Sequence, residues 1–232
     1  YNDIHSEVVN FFRVLREQKD ALVEAIGLTP FSREEFENAI YSPIDGVSDL
    51  ERARRFYIMA RQVRTGLAQK ASTGRWAHCL LTSRAGMAGA VSRWLGAVED
   101  LPYIAQRLLR VQIENDTAIN VIKRYDSPET LFYCDPPYPH DSRTDLNAYA
   151  YEMTNEQHEE LADVLHKVKG KVALSSYHSD LYDVLYKDWQ CVEAKAKMVH
   201  SVKQERTEVL WVNYDPFASN GKVEEWQNQS VF

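Results

Sequence analysis

The amino-acid sequence predicts an α/β fold, a mostly parallel sheet carrying an inserted helical lobe, on three features of the chain. From residue 111 onward, short apolar segments alternate with helical ones, the pattern of crossover units around a parallel sheet. The stretch 29–101 has no β-branched apolar run and is rich in helix-start signals and glycines. The opening residues read as a strand end running into a helix, because Val8, Phe11, Phe12 and Leu15 fall at helical spacing after Asp3. The expected division is a main domain of 1–28 and 102–232, with a helical lobe of 29–101 set into it.

Each element has its own signal. Ser32 with Glu35, and Ser48 with Glu51, have the spacing of capping boxes, in which a hydroxyl and a carboxylate satisfy the free amides of a helix start. Gly74, Gly86, Gly89 and Gly96 punctuate the lobe, and Arg84-Ala85-Gly86-Met87-Ala88-Gly89 reads as a turn because no strand precedes it. Residues 111–114 suit a short strand, 116–124 a helix, and 131–134 a second strand that Pro136 and Pro137 terminate, since proline has no N–H for a ladder. Thr154 with Gln157 forms a third capping box, Leu161, Val164, Leu165 and Val168 make one apolar stripe, and Gly170 stands where that helix is expected to end. A buried strand at 171–176, a short helix at 180–187 and two antiparallel strands at 192–200 and 208–213 follow, with a loose tail after Pro216.

Composition narrows the function classes. With 232 residues and 44% hydrophobic content the chain can bury a substantial core. No apolar stretch approaches the roughly 20 residues that cross a bilayer, and the first residues lack a signal-peptide pattern, so no membrane role and a cytoplasmic location are expected. Cys79, Cys134 and Cys191 are scattered without metal-ligand spacing, which predicts reduced thiols and no metal site. The net charge of -7 is unusual for a partner of a polyanion, but it is unevenly spread. Residues 51–110 carry 11 Lys and Arg against three acids, a balance of +8, leaving -15 for the rest. Such a segment is either a solvated helix surface or a contact for phosphates.

The chemistry concentrates at Asp135-Pro136-Pro137-Tyr138, directly after a strand. An exocyclic amine conjugated to a purine is a poor nucleophile until its lone pair is localised. A carboxylate such as Asp135 accepts one of its N–H groups, and the Pro136 carbonyl, kept out of any ladder by the prolines, accepts the other. Tyr138 offers a flat surface to a base that has lost its stacking. The plain alternative is a strand stopped by two prolines, with Tyr138 covering an edge.

This tetrapeptide resembles the D-P-P-Y loop of amino-group DNA methyltransferases. The likeness continues through Pro139, His140, Asp141, Ser142, Arg143 and Thr144, then Tyr149, Met153-Thr154, Leu161, Lys169-Gly170-Lys171-Val172, Leu174-Ser175, Leu181-Tyr182 and Arg206-Thr207-Glu208-Val209-Leu210-Trp211. Together these residues are similar to Dam-like, phage-type adenine-N6 methyltransferases of the α group, and about the last half of the chain carries the likeness strongly. The resemblance implies a Rossmann-like methyltransferase fold, S-adenosyl-L-methionine as cofactor, and adenine N6 of double-stranded DNA as the acceptor, reached by base flipping, as in restriction-modification and phage enzymes.

Residue by residue, the resemblance makes Asp135, Pro136, Pro137 and Tyr138 catalytic. It also assigns the Asp3 carboxylate to the cofactor ribose, Ile4 to its adenine, and Asp116 with Thr117 to the same adenine. A helix N-cap is the local alternative for Asp3 and for Asp116. Arg75, Trp76, Arg84 and Arg93 in the lobe, with Ser142 and Arg143 after the loop, are the expected DNA contacts, and a core role is the alternative for Trp76 and Trp94. The family's F-x-G-x-G loop belongs about 20 residues before the ribose acid. No such loop precedes Asp3 here, so a missing N-terminal segment or a partner chain is expected to supply it. Cytosine-N4 methylation, methylation of RNA or of a protein amide, and a catalytically silent DNA-binding protein are the rival functions. Aspartate at the first motif position favours adenine.

Overall fold

The computed structural model describes residues 1–64, 76–78, 83–84, 86–142, 149–193 and 207–218, with the side chains of 83–84 excepted. Packing divides the chain into two compact units, Tyr1–Arg124 with Asp145–Glu152, and Tyr125–Thr144 with Met153–Phe232.

The first unit is a helical assembly. Helix α1 (Ser6–Glu17) starts where the His5 ring accepts the Glu7 amide, and it buries Phe11, Val14 and Leu15. Helices α2 (Lys19–Gly27), α3 (Arg33–Tyr41), α4 (Asp49–Gln62), α5 (Gly89–Glu99) and α6 (Leu101–Leu108) join it around one core that includes Leu22, Phe36, Tyr57, Ile58, Trp94 and Leu101. Helices of the 29–101 stretch and the helices flanking it therefore share one apolar interior. Ser32 and Ser48 cap α3 and α4 by accepting the amides of Glu35 and Glu51. The reciprocal half of each box is replaced: the carboxylate of Glu35 pairs with Arg54 at 2.9 Å, and that of Glu51 with Arg54 at 2.7 Å and Arg55 at 2.9 Å. Arg13 and Arg52 are likewise tied to Asp49, and Arg52 also to Glu7. Part of the positive charge counted in the sequence is thus neutralised inside the unit.

Two details correct the sequence reading of this unit. The lobe is not wholly helix and loop: β1 (Ser83–Arg84) and β2 (Met87–Ala88) pair antiparallel, and Gly86 just before β2 has φ 78°. Glycine suits that position because a side chain is strained there. The strand expected at 111–114 shrinks to a single parallel bridge between Asn2 and Glu114, after which α7 (Ala118–Tyr125) begins.

The second unit holds a four-stranded sheet. Strands β3 (Leu131–Cys134), β4 (Lys171–Tyr177), β5 (Gln190–Glu193) and β6 (Glu208–Val212) lie in the order β3-β4-β6-β5. Only the β3–β4 pairing is parallel; β4–β6 and β5–β6 are antiparallel, so the described sheet is mixed rather than mostly parallel. Residues 194–200 of the expected fifth strand, and most of the expected loose tail, lie outside the described residues.

Helix α8 (Asn155–Leu165) connects β3 to β4 and starts with a complete capping box between Thr154 and Gln157. Its stripe buries Leu161 and Leu165. The helix ends at Leu165, not at Gly170. Gly170 serves a different need, because a Cβ there would lie 2.7 Å from the Thr130 carbonyl oxygen. Close passage of the two backbones lets Lys171 N–H donate to that carbonyl at 2.8 Å. The carboxylate of Asp126 accepts the amides of Lys169 and Gly170, and Asn213 accepts the amide of Val172, so the entry to β4 is pinned from both sides. Helix α9 (Asp180–Leu185) closes the unit, burying Tyr182 completely.

Candidate functional site

Strand β3 stops at Cys134, and the next residues form an irregular loop that the prolines keep out of the ladder. Asp135 is exposed, Pro136 and Pro139 are buried, and Pro137 and Tyr138 are half-buried. The loop is thus anchored by two prolines and presents its carboxylate outward. Parallel pairing aligns Cys134 with Leu174, which brings Ser175 beside Asp135. The Ser175 hydroxyl donates to Asp135 Oδ1 at 2.9 Å and lies 3.3 Å from the Cys134 carbonyl oxygen. Asp135 Oδ2 has no hydrogen-bond partner among the described residues. The ring of Tyr138 meets that of Tyr177, the last residue of β4, edge to face, with centroids 4.9 Å apart. Burial pushes the neighbouring Cys134 thiol up to about 12, which keeps it protonated and inert.

After the loop, a short 3-10 turn at His140–Ser142 uses the Ser142 hydroxyl internally, donating to the Pro139 carbonyl at 2.7 Å. Arg143 lies outside the described residues. A pocket of about 480 Å³ follows, lined by His140, Asp141, Thr154, Asn155 and Glu156. Its two acids make it a poor seat for phosphate.

In the first unit the structure brings Asp3, Ile4, Asp116 and Thr117 together. The Asn2–Glu114 bridge starts this junction. Asn2 then donates to the Asp116 carbonyl and accepts its amide, while Asn115 donates to the Asp3 carbonyl at 2.8 Å. Asp3 is not the cap of α1; it accepts the His5 amide and the Tyr1 hydroxyl, each at 2.9 Å. Ile4 is 50% exposed, an apolar surface beside this carboxylate. Asp116 is turned toward its own helix. Its Oδ1 accepts from Asn120 at 2.9 Å and from the Thr117 amide, and its Oδ2 pairs with Arg124 at 3.0 Å. The Asn120 side chain, then the Thr117 amide and Arg124, hold its carboxyl below the usual range. The Thr117 hydroxyl accepts the Asn120 amide, a helix-start contact.

The residues expected to meet DNA divide. Trp76 packs on Phe31 with centroids 5.4 Å apart, donates to Gln62 at 3.3 Å and carries Arg33 above its ring at 5.0 Å. Trp94 is a core residue, 3% exposed. Arg93 is exposed on α5, Arg84 has only its backbone described, and Arg75 lies outside the described residues.

A sequence model of the D12 class N6 adenine-specific DNA methyltransferase family matches residues 1–202. The chain belongs to this family. No curated protein matches it. Family membership decides between the rival acceptors: this D12 class methyltransferase is an enzyme that methylates adenine N6 in DNA, not cytosine N4. The matched span includes Asp3, the helical lobe, Asp116 and the D-P-P-Y loop of the methyltransferase. No helix among the described residues is long and apolar enough to cross a membrane. Among those residues no group of three His, Cys, Asp or Glu side chains is placed to hold a metal ion.

Ser175 and Tyr177 were not assigned a role from the sequence. Their signal is the register: a strand, a capped helix and a second strand imply parallel neighbours, and only the alignment says which serine meets Asp135.

Proposed function

We propose that the methyl donor of this enzyme is S-adenosyl-L-methionine and that the acceptor is an adenine extruded from duplex DNA, with Asp135, Pro136, Pro137 and Tyr138 as the catalytic loop. One observation carries this reading: Asp135 is exposed at the carboxyl end of β3, with one carboxylate oxygen held by Ser175 and the other without a partner among the described residues. Oδ2 accepts one N–H of the adenine amine and the Pro136 carbonyl accepts the second. Both bonds strengthen as positive charge develops on nitrogen, which is how they favour the transition state over the ground state. Tyr138, steadied by Tyr177, stacks on the extruded base.

The residues of the first unit fit a methyl donor by their chemistry. Asp3 offers a carboxylate acceptor to a ribose diol, Ile4 an apolar surface to adenine, and Asp116 with Thr117 polar contacts to the adenine edge. A carboxylate has about four acceptor positions. The three described donors on Asp116 leave room for an exocyclic amine. When bound, the donor supplies a methyl group on a sulfonium centre. Residues 1–28 and 102–232 carry out this transfer. Residues 29–101 recognise DNA, with Arg75, Trp76, Arg84 and Arg93, and with Ser142 and Arg143 beside the extruded base.

The test is direct. Incubation with tritiated methyl donor and unmethylated duplex DNA, followed by digestion to nucleosides, is expected to place label in N6-methyladenine. Asp135→Ala is expected to lower that label by about 100-fold or more while leaving DNA affinity near wild type. Full activity in the Asp135 variant overturns the assigned role.

A further inference from the structure

The arginines of the first unit fall into two groups. Those in the first half of α4 are neutralised: Arg52, Arg54 and Arg55 each contact one or more carboxylates. At the other end of the helix, Arg61 and Arg64 are exposed and line, with Arg93 of α5, a pocket of about 330 Å³ whose other walls are Ala60, Val63, Ala77 and Ala90. None of the three forms an ion pair among the described residues.

We infer that this pocket is a phosphodiester-binding site that grips the backbone of the DNA substrate, a conclusion that rests on the reading of the enzyme as one acting on duplex DNA. A single cation at the end of α4 has a local explanation, because the helix carboxyl terminus carries partial negative charge and Arg61 lies 6.0 Å from the Tyr57 ring centroid. That explanation does not extend to Arg64, beyond the helix end, or to Arg93, on another helix. Three like charges converging on one pocket repel each other, and an anion relieves that repulsion.

The floor is suited to the task. Val63 and Ala90 are buried, Val63 is bridged to Trp76, and the Ala77 amide donates to the Gln62 carbonyl at 2.8 Å. Gln62 is itself fully buried and donates to the Pro30 carbonyl at 3.1 Å, fixing the end of α4 beneath the pocket. Planar guanidinium groups of the lining arginines suit phosphate oxygens bidentately, and the small aliphatic lining residues suit a deoxyribose. Such contacts fix the register of the protein on the duplex and carry no sequence information.

Fluorescence anisotropy with a short labelled duplex across a salt series tests the site. For R61Q/R64Q/R93Q, the slope of log affinity against log salt is expected to shrink by about 2 to 3, with affinity at low salt reduced about tenfold or more. R93Q alone removes about one unit of slope and serves if the triple variant does not fold. R61K/R64K/R93K retains the slope. R107Q/R110Q, which removes exposed arginines outside the pocket, leaves it unchanged. A wild-type slope in the triple glutamine variant, an equal loss in R107Q/R110Q, or no duplex binding by the wild type overturns the site. Absence of label in N6-methyladenine with this salt behaviour intact instead overturns the proposed catalytic roles and leaves the pocket standing.

Discussion

Asp116 and Asp135 each follow closely on a parallel pairing, Asn2–Glu114 in one case and β3–β4 in the other, yet their carboxylates are used in opposite ways. Asp116 is surrounded by donors from its own helix: the Thr117 amide, the Asn120 side chain and Arg124. Asp135 has one described donor, the Ser175 hydroxyl, which comes from a neighbouring strand. Three nearby donors leave Asp116 about one acceptor position and tie it to local structure, whereas Asp135, steadied from a single side, keeps most of its acceptor capacity for a substrate. Proline makes the difference, since Pro136 and Pro137 leave no amide to fold back onto Asp135, while the Thr117 amide and the Asn120 side chain both donate to Asp116.

The largest effect that separates the two acids is on turnover. Asp135→Asn keeps the shape but replaces one acceptor oxygen with a donor, and kcat for methyl transfer is expected to fall about 100-fold or more. Circular dichroism is expected to be unchanged; a variant with normal kcat breaks the contrast. Ser175→Ala frees Oδ1 and is expected to lower kcat about tenfold, with little change in the KM for DNA. Ser175→Thr, which retains the hydroxyl, is expected to recover part of the loss. An effect confined to thermal stability makes Ser175 structural only.

Asp116→Asn is expected to act mainly on the methyl donor, raising its KM several-fold (about one hydrogen bond to a charged group) with kcat near wild type. It also has a pH signature. Because the folded-state carboxyl is held below its ordinary value, its contribution to stability is present above the ordinary carboxylate range and is lost as the pH falls through the lowered value. Thermal melts from neutral to acid pH are expected to lose part of their acid limb in Asp116→Asn, and an unchanged limb removes the assignment. The smallest effect concerns the thiols. Burial raises Cys134 to about 12, whereas Cys191 is exposed and raised less. Peptide-resolved alkylation at mildly alkaline pH is expected to label Cys191 well before Cys134, and the reverse order shows that the floor of the D-P-P-Y loop opens in solution.

Features set by a few consecutive residues were legible in the sequence. The strand at 131–134 and the Thr154–Gln157 box occur where the sequence predicts them, because proline and a correctly spaced glutamine act locally. What depends on pairing across the chain was not. Net charge does not show that Glu51 and Glu35 occupy Arg54, so the basic segment looked uniform although part of its charge is neutralised within the unit. Gly170 reads as a helix end by composition, but its reason is the Thr130 carbonyl, 40 residues away in sequence. The antiparallel pairing of the last two strands was expected and occurs between β5 and β6, but the antiparallel pairing of β6 with β4 was hidden, since an apolar run such as Val209-Leu210-Trp211 carries no sign of direction.

Strand β4 contains two consecutive serines, and only one of them contacts Asp135; the hydroxyl of the next, Ser176, is fully buried without a partner among the described residues. A shift of one residue would therefore present a chemically identical group to the loop while moving every other side chain of the strand to the opposite face. The grip of Asp126 on the Lys169 and Gly170 amides adds to the burial of Val172, Ala173 and Leu174 in fixing the alignment at the point where the strand begins. The serine that meets Asp135 is thus set in part by an acid with no chemical role in the proposed reaction.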